Sequence, residues 1–115
     1  MDKIYIIQNK ENTTMEVPQT IFQKVFGSSP YIKVLDFFLD NENFDYSKTT
    51  IAEEAEISRI TLEPILARLI KLKIIKQTRN TGRAIMYAFN WDSELATKLR
   101  EFDLQLCMPK ILAKH

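Results

Sequence analysis

The segment 49–62, TTIAEEAEISRITL, constrains the fold more than any other part of the 115-residue chain. Its first half includes the small residues Ala52 and Ala55 at inward-facing positions, which allow a second helix to cross closely. A turn is expected at 56–57, and Ser58 is the type of residue that caps the start of a helix. The segment therefore predicts two short helices packed across a tight turn.

The bulk composition is that of one folded domain with its own core. Hydrophobic residues make up 45% of the chain and charged residues 27%, which distinguishes it from disordered sequences. No apolar run approaches the roughly 20 residues that a helix needs to span a bilayer, and Met1-Asp2-Lys3 does not open a signal peptide. We therefore expect a cytoplasmic protein without a membrane-spanning segment.

The net charge of +1 conceals a strong division along the sequence. Segment 40–56 has six acidic residues and one basic residue, a balance of −5. Segment 57–90 has seven basic residues and one acidic residue, a balance of +6. A local basic cluster attracts phosphate while the whole chain stays near neutral, although a solvated charged face is the simpler alternative.

The residues before this helix pair predict further elements. Residues 3–8 favour a strand with 13–17 as its hairpin partner, and Pro18 suits the first position of a helix that ends at Gly27. The Ser-Pro pair at 29–30 opens another helix. Each of these two helices has an apolar stripe at helical spacing, formed by Ile21, Phe22, Val25 and Phe26 and by Val34, Leu35, Phe38 and Leu39.

The helix pair itself has clear boundaries in the sequence. Residues 44–46 favour a short extended piece before Ser47, which can cap the first helix. The second helix is expected to run over 58–72. Its buried stripe is predicted to be Leu62, Ile65, Leu66 and Leu69.

A hairpin and a last helix are predicted after the pair. The runs 74–79 and 83–89 are strand-like, and the three-residue loop 80–82 places Gly82 where positive φ is expected. Ser93 can cap a final helix, and Pro109 marks its end.

The order helix, helix, turn, helix, hairpin is that of a winged helix-turn-helix domain. From about residue 29 to residue 90 the chain resembles the winged-helix transcription regulators of bacteria and archaea, including MarR-like and ArsR-like proteins. The flanks VFGS at 25–28 and VLDFF at 34–38 are similar to small archaeal proteins of this type. The matching residues inside the domain are Ile51, Ala52, Ala55, Ile57, Ser58, Thr61, Leu62, Leu69, Ile74, Ile75 and Gly82.

The resemblance implies an α+β, mainly helical fold. We expect a winged helix-turn-helix domain with a two-stranded wing at 29–90. An N-terminal extension of strand or hairpin and helix is expected at 1–28, and a C-terminal helix at 91–115. Either terminal part is a possible dimer element.

The resemblance also implies double-stranded DNA as the partner of a dimeric transcription regulator, a repressor. The helix 58–72 would enter the major groove, and the hairpin 79–83 would touch the backbone or minor groove. No cofactor is implied, and no small-molecule effector is evident. The expected DNA-contacting residues are Lys48, Thr49, Ser58, Arg59, Ile60, Thr61, Glu63, Arg68, Lys76, Arg79, Thr81 and Arg83.

Side chains at the start of the second helix have chemistry suited to DNA. Arg59 lies in the first turn, and arginine pairs bidentately with guanine. The hydroxyls of Ser58 and Thr61 suit phosphate oxygens. Two residues have open alternatives: Ile60 meets a thymine methyl group or packs against the first helix, and Glu63 accepts a hydrogen bond from cytosine or repels phosphate.

The remaining cations lie farther from the helix start. Arg68 is expected to contact the DNA backbone at most. Arg79, Thr81 and Arg83 at the hairpin tip are expected to follow the phosphates, and one arginine can enter a narrow minor groove. For any single arginine, the alternative role is a solvated charge that keeps the protein soluble. The cluster of basic residues is therefore stronger evidence for DNA binding than any one of its members.

Three residues depart from the pattern of this fold. Glu56 stands where the turn usually has glycine, so either it is not left-handed or about 1 kcal/mol of strain is accepted. Lys73 likewise replaces a common helix-ending glycine. Pro64 lies inside the second helix, where it removes one backbone hydrogen bond and is expected to kink or loosen the first turn.

Residue types for metal binding or catalysis are sparse. Cys107 and His115 are the single cysteine and histidine of the chain, with Asp103 as the nearest carboxylate, so we predict no metal site. Cys107 is expected to be a buried small hydrophobe. No serine-histidine-acid set or glycine-rich phosphate loop is present, and we do not expect an enzyme.

A homodimer is expected because one winged helix grips only about one half-site. The C-terminal helix offers an apolar stripe at 95–106 that either forms the dimer or packs against its own domain. The N-terminal strand and helix are a second candidate. The residues of the stripe are Leu95, Leu99, Phe102 and Leu106.

Two other functions remain as alternatives to a sequence-specific regulator. The acidic segment 40–56 and the near-neutral total favour a winged helix used as a protein-interaction module. A plasmid or virus replication or partition protein would bind DNA without regulating transcription.

Overall fold

Five helices and three strands form the part of the chain that the structure, a computed structural model, describes, residues 19–107. The helices are α1 (Ile21–Phe26), α2 (Pro30–Asp40), α3 (Lys48–Ala55), α4 (Arg59–Lys71) and α5 (Glu94–Cys107). The strands are β1 (Asp45–Ser47), β2 (Ile75–Thr81) and β3 (Ala84–Phe89). The predicted strand at 3–8, its partner at 13–17, the helix stop at Pro109 and the Cys107 side chain lie outside the described part.

Serine hydroxyls begin four of the helices, as predicted. Ser29, Ser47 and Ser58 each accept a hydrogen bond from the backbone N–H three residues later, at the starts of α2, α3 and α4. The hydroxyl of Ser93 accepts from the third residue after it in the same way, at 3.2 Å, before α5. Each cap satisfies an N–H that has no partner inside the helix.

The first helix begins later than predicted. Its cap is Thr20, whose hydroxyl accepts from the Gln23 N–H at 3.0 Å, so α1 starts at residue 21 and not at Pro18. Gly27 ends α1 at a φ of 96°, as predicted from its freedom to adopt positive φ. The buried carboxylate of Asp36 on α2 accepts hydrogen bonds from the Thr20 hydroxyl and the Gln23 amide, which tie α1 to α2.

One hydrophobic core joins all five helices and the sheet. The predicted stripes of α2 and α4 are both buried, and α1 and α5 contribute one fully buried residue each. Short helices are barely stable on their own, so packing of these apolar faces in the core supplies most of their stability. The core consists of Phe22, Val34, Leu35, Phe38, Leu39, Ile51, Ala52, Ala55, Leu62, Ile65, Leu66, Leu69, Ile74, Ile75, Tyr87, Phe89 and Ala96.

The sheet has three antiparallel strands in the order β1-β3-β2. The hairpin of β2 and β3 is the predicted two-stranded wing. The extended piece predicted at 44–46 is β1, and it pairs with β3 so that Tyr46 lies opposite Tyr87. The base of the wing is therefore joined to the strand that leads directly into α3.

The hairpin turn differs from the predicted three-residue loop at 80–82. Thr81 pairs with Ala84, which leaves Gly82 and Arg83 as a two-residue turn. Gly82 has a φ of 64°, and glycine at the first turn position is typical of a type II′ turn. The extra residue lies earlier, in a bulge of β2 between residues 77 and 80.

Two charged residues have left-handed backbone conformations on either side of α4. Glu56 has a φ of 60° and Lys73 a φ of 64°, so the strain expected at Glu56 is present. In each case the residue's own N–H bonds three residues back and the next N–H, of Ile57 or Ile74, bonds five residues back. This pair of bonds is the Schellman arrangement that ends a helix, and it offsets part of the strain.

Pro64 does not interrupt the second helix. α4 is continuous from residue 59 to residue 71, with Pro64 inside it. The proline costs the bond that its missing N–H would donate to the Ile60 carbonyl. The helix is held by its buried stripe, so one lost backbone bond does not end it.

Candidate nucleic-acid interface

The helix α4 exposes one long side to solvent. Its other side is buried in the core, which fixes the orientation of the helix. Ile60 is 84% exposed, so the alternative in which it packs against α3 is wrong. The predicted contact residues on this helix are all exposed: Arg59, Ile60, Thr61, Glu63 and Arg68.

A concave surface between three elements brings several predicted residues together. We call this cavity of about 340 Å³ the basic notch. It lies between the N-terminal ends of α3 and α4 and the hairpin turn. Its lining residues are Ser47, Lys48, Thr49, Arg59, Arg83, Ala84 and Ile85.

The geometry of the basic notch follows from where each helix begins. Lys48 and Thr49 open α3, and Arg59 opens α4, so residues from the starts of both helices line the same space. Arg59 donates a hydrogen bond from Nη1 to Thr49 Oγ1 at 3.2 Å. Arg83 reaches the space from the two-residue turn. Three cations from three elements make the notch a suitable place for an anionic group.

One cation of the notch already has a carboxylate partner. Lys48 Nζ lies 2.8 Å from Glu63 Oε2 and 3.1 Å from Glu63 Oε1. The hydrogen bond to Glu63 raises the pKa of Lys48 above its ordinary value. Glu63 therefore neutralises Lys48. Neither of the two roles that the sequence suggested for Glu63, a hydrogen bond from cytosine or repulsion of phosphate, included this ion pair.

The predicted wing residue Arg79 is also paired. Its guanidinium donates to Asp45 from Nε at 2.8 Å and from Nη2 at 3.1 Å, and the Thr78 hydroxyl donates to the same carboxylate at 2.7 Å. The hydrogen bonding of Arg79, followed by that of Thr78, lowers the pKa of Asp45 to about 2. The same pairing with Asp45 raises the pKa of Arg79. The sequence predicted Arg79 as a phosphate contact, whereas the structure pairs it with Asp45, and Arg79 does not line the basic notch.

The other two predicted cations outside the notch make contacts with the protein. The Arg68 guanidinium lies 5.0 Å from the centre of the Tyr31 ring, a cation–π arrangement with α2. Lys76 Nζ lies 3.8 Å from Asp92 Oδ2, and both side chains are largely exposed. An exposed pair at this distance contributes little, so Lys76 remains available to solvent anions.

The predicted hydroxyl groups at the start of α4 bond to each other. Ser58 Oγ accepts from the Thr61 N–H at 3.0 Å and donates to Thr61 Oγ1 at 2.9 Å. Their role in the structure is to begin the helix. Thr81 is exposed at the end of β2, beside the turn.

Sequence reasoning missed the residues that position the charged side chains. Asp45 was predicted only as part of the acidic segment and of the extended piece at 44–46, and Tyr31 was not singled out. Asp45 meets Arg79 from 34 residues away, so no local pattern indicates the contact. Ile85 lines the notch because it follows the turn, and the strand pattern gave no sign of that.

Apolar side chains are exposed on α1 and α5. The predicted stripe of α5 divides: Leu99 and Leu106 pack partly against the core, whereas Leu95 and Phe102 are 45% and 42% exposed. The helix buries Ala96 and Asp103 instead, because the face toward the core is rotated from the large apolar residues. On α1, Phe26 lies with its ring centre 6.1 Å from that of Phe102.

Membrane-spanning and metal-binding features bear on residues 19–107, the described part of the chain. No helix in this range is long and apolar enough to cross a membrane. No group of three or more histidine, cysteine, aspartate or glutamate residues in this range is placed to hold a metal ion.

A fold of helices α2, α3 and α4 followed by a β-hairpin defines a winged helix. No family model and no curated protein matches the chain. Among solved structures, the chain is similar to NadR in complex with 4-hydroxyphenylacetate, with a TM-score of 0.57 and 19% sequence identity. NadR is a transcription regulator of the MarR family. The match covers 76% of this chain and 60% of the NadR chain, and it shows a winged-helix fold like that of NadR.

Proposed function

We propose that this chain is a sequence-specific double-stranded DNA-binding protein, a cytoplasmic homodimeric transcription regulator that acts as a repressor. The observation that carries the proposal is the basic notch, where Lys48, Arg59 and Arg83 from three separate elements line one cavity beside an exposed helix. The proposed activity is binding alone, without catalysis, a cofactor or a small-molecule effector. The winged-helix fold, which the chain shares with the regulator NadR, supports the same function.

In this proposal α4 lies in the major groove and the hairpin turn follows the backbone. The phosphate row beside the groove enters the basic notch, where Lys48 and Arg83 supply positive charge. Arg59, in the first turn of α4, extends to the N7 and O6 atoms of a guanine, because its planar guanidinium matches that edge. Lys48 exchanges its Glu63 partner for phosphate, and Glu63 is then able to accept from cytosine.

The homodimer is proposed to form through α1 and α5. Val25 and Phe26 on α1 and Leu95 and Phe102 on α5 are 56%, 49%, 45% and 42% exposed, and we call them the terminal apolar surface. The rings of Phe26 and Phe102 touch, so the two helices present part of one surface. A second copy of the chain would bury these side chains and place two α4 helices on one duplex. Leu99 and Leu106 support the surface from its core side.

The groove between α1, α2 and the end of α3 is lined mainly by polar and charged residues. It has a volume of about 840 Å³ and includes Lys24, Asp36 and Glu54, with Phe37 as the single ring among its lining residues. A small aromatic ligand is held best between apolar walls. The character of this groove supports a regulator without an effector of that kind.

Selection from random duplex DNA tests the proposal most directly. The purified protein is used to enrich duplexes, and the enriched sequence is titrated by fluorescence anisotropy at two salt concentrations. We expect a palindromic site with a Kd of about 10⁻⁸–10⁻¹¹ M at physiological salt, far tighter than for a scrambled duplex. No enrichment, with binding that vanishes at physiological salt, would contradict the proposal.

A protein-interaction module is the second candidate function. Carboxylates neutralise Lys48 and Arg79, and three more acidic residues are exposed beside α4: Glu53 and Glu54 on α3 and Glu56 just after it. This charge pattern weakens attraction to phosphate and favours a protein partner. Failure of the DNA selection would favour this function, whereas a replication or partition role would give the same DNA result and be distinguished by neighbouring genes.

A further inference from the structure

The exposed side of α4 has an apolar strip along its centre. Ile60, Pro64 and Ala67 are all exposed, and their spacing of four and three residues places them on one side of the helix. Ile60 is the most exposed large hydrophobic residue in the described part of the chain, at 84%. With a rise of about 1.5 Å per residue, the strip is about 10 Å long.

Packing within the domain does not require this strip. The core side of α4 is formed by other residues, and the strip lies away from it. Exposed helix positions without packing partners are ordinarily polar, since apolar groups gain nothing from water. The strip therefore fits a surface that a partner covers.

The charges beside the strip indicate what kind of partner this is. Arg59 and the basic notch lie at one edge, and Arg68 lies in the same helix toward the other edge. Cations on both sides of an apolar centre complement a polyanion that presents apolar groups between two rows of charge. The major groove of DNA has this arrangement, with phosphates at its edges and thymine methyl groups on its floor.

We propose that Ile60, Pro64 and Ala67 contact thymine methyl groups, so that each half-site has A·T pairs under the middle of α4. This inference rests on the proposed function and adds the base composition that the protein selects. The three side chains have no hydrogen-bonding atoms, so they distinguish bases only through the C5 methyl group and shape. The strip spans about three base-pair steps of about 3.4 Å each.

The experiment replaces thymine by deoxyuridine in the selected duplex, which removes the C5 methyl group and leaves base pairing intact. Anisotropy titrations compare the two duplexes with wild-type protein and with Ile60→Ala. We expect wild type to bind the uracil duplex about fourfold more weakly for each contacted methyl group, the affinity equivalent of about one buried methylene. The Ile60→Ala protein should bind the thymine duplex more weakly, and its difference between the two duplexes should shrink by about fourfold, the share of the methyl group that Ile60 contacts.

A matched variant and a second base analogue complete the test. Leu72→Ala removes another exposed apolar side chain, 43% exposed just after α4, and should keep the full thymine-uracil difference. Replacing a contacted T·A pair by 5-methylcytosine·G should retain more affinity than replacing it by C·G. Tight, selective binding that is equal for thymine and uracil duplexes would overturn this inference and leave the proposed function standing. Failure to select any duplex would overturn both and would assign the strip to a protein partner.

Discussion

Arg79 on β2 and Asp45 on β1 form two hydrogen bonds although β3 lies between their strands. The pair spans the sheet on one face, next to the bulge of β2, and Thr78 adds a third bond to the same carboxylate. Because β1 leads directly into α3, this clamp connects the wing to the helix pair. Asp45 therefore positions the wing relative to the helix pair, because its strand β1 leads into α3.

Removing the clamp should loosen the hairpin. In Asp45→Ala, β2 loses three hydrogen bonds to β1, so we expect faster hydrogen exchange of its amides around the bulge. The same measurement on Asp92→Ala is the control, because Asp92 is 87% exposed and its pair with Lys76 is 3.8 Å long. Equal exchange in the two variants would show that the clamp does not hold the wing.

The clamp also predicts a pH dependence of stability. The pKa of Asp45 is about 2, against 3.8 for an ordinary aspartate, because Arg79 and Thr78 bond to its charged form. A lowered pKa contributes stability at pH values above about 4, and that contribution is lost as the pH falls toward about 2. Urea unfolding of wild type and Asp45→Asn should therefore differ near neutral pH and converge at about pH 2. A difference that stays constant over this range would contradict the role of the charged carboxylate.

Arginine substitutions should separate base contacts from backbone contacts. We expect Arg59→Ala to weaken the specific site by about 1–3 kcal/mol and to relax base preference. Arg83→Ala should weaken all sequences alike and lower the salt slope by about one unit, because it removes a phosphate contact. Lys98→Ala is the control, because Lys98 is an exposed cation on α5 and does not line the basic notch. Equal, sequence-independent losses from Arg59→Ala and Arg83→Ala would defeat the assignment of Arg59 to base contact.

The left-handed residue in the helix pair offers a test of backbone strain. Glu56→Gly removes strain of about 1–2 kcal/mol but adds unfolded-state entropy, so we expect the free energy of unfolding to rise by about 0.5–1 kcal/mol. Glu53→Gly in the interior of α3 is the control, and it should lower the same quantity by about 1 kcal/mol. Urea denaturation measures both. A loss of stability in Glu56→Gly would show that its carboxylate contributes more than its backbone costs.

The terminal apolar surface predicts where dimerisation is sensitive to charge. Phe102→Asp should raise the dimer dissociation constant about 10- to 100-fold, since burying a large apolar side chain is worth about 1.5–3 kcal/mol. Phe44→Asp is the matched control, because Phe44 is 70% exposed on the loop before β1. Sedimentation velocity over a range of concentrations measures the dissociation constant. Equal dissociation constants for the two variants would exclude Phe102 from the interface.

The helices were predictable because their signals are local. A serine cap acts over three residues, and the buried stripes of α2 and α4 repeat every three or four. The sheet was less predictable. Pairing of 45–47 with 86–88 depends on the whole fold, and the bulge in β2 moved the turn by one residue, to Gly82 and Arg83.

The same difference between local signals and long-range contacts applies to the candidate site. Exposure of Arg59 and Glu63 followed from the buried side of α4, so the sequence indicated it, whereas it left open whether Ile60 is exposed or packs against α3. The ion pair of Lys48 with Glu63 joins residues 15 apart, and local patterns do not specify such contacts. The sequence thus located the charges but not which of them are neutralised. On α5, counting only large apolar residues missed Ala96, which is fully buried.

Ser47 belongs to two elements at once. It is the last residue of β1, opposite Met86, and its hydroxyl accepts the Thr50 N–H at 3.2 Å to begin α3. Because no linker separates β1 from α3, a rotation of the wing also rotates the helix pair. In a homodimer, the separation of the two half-sites on DNA would then depend on the angle at the subunit contact, because β1 continues directly into α3 in each subunit.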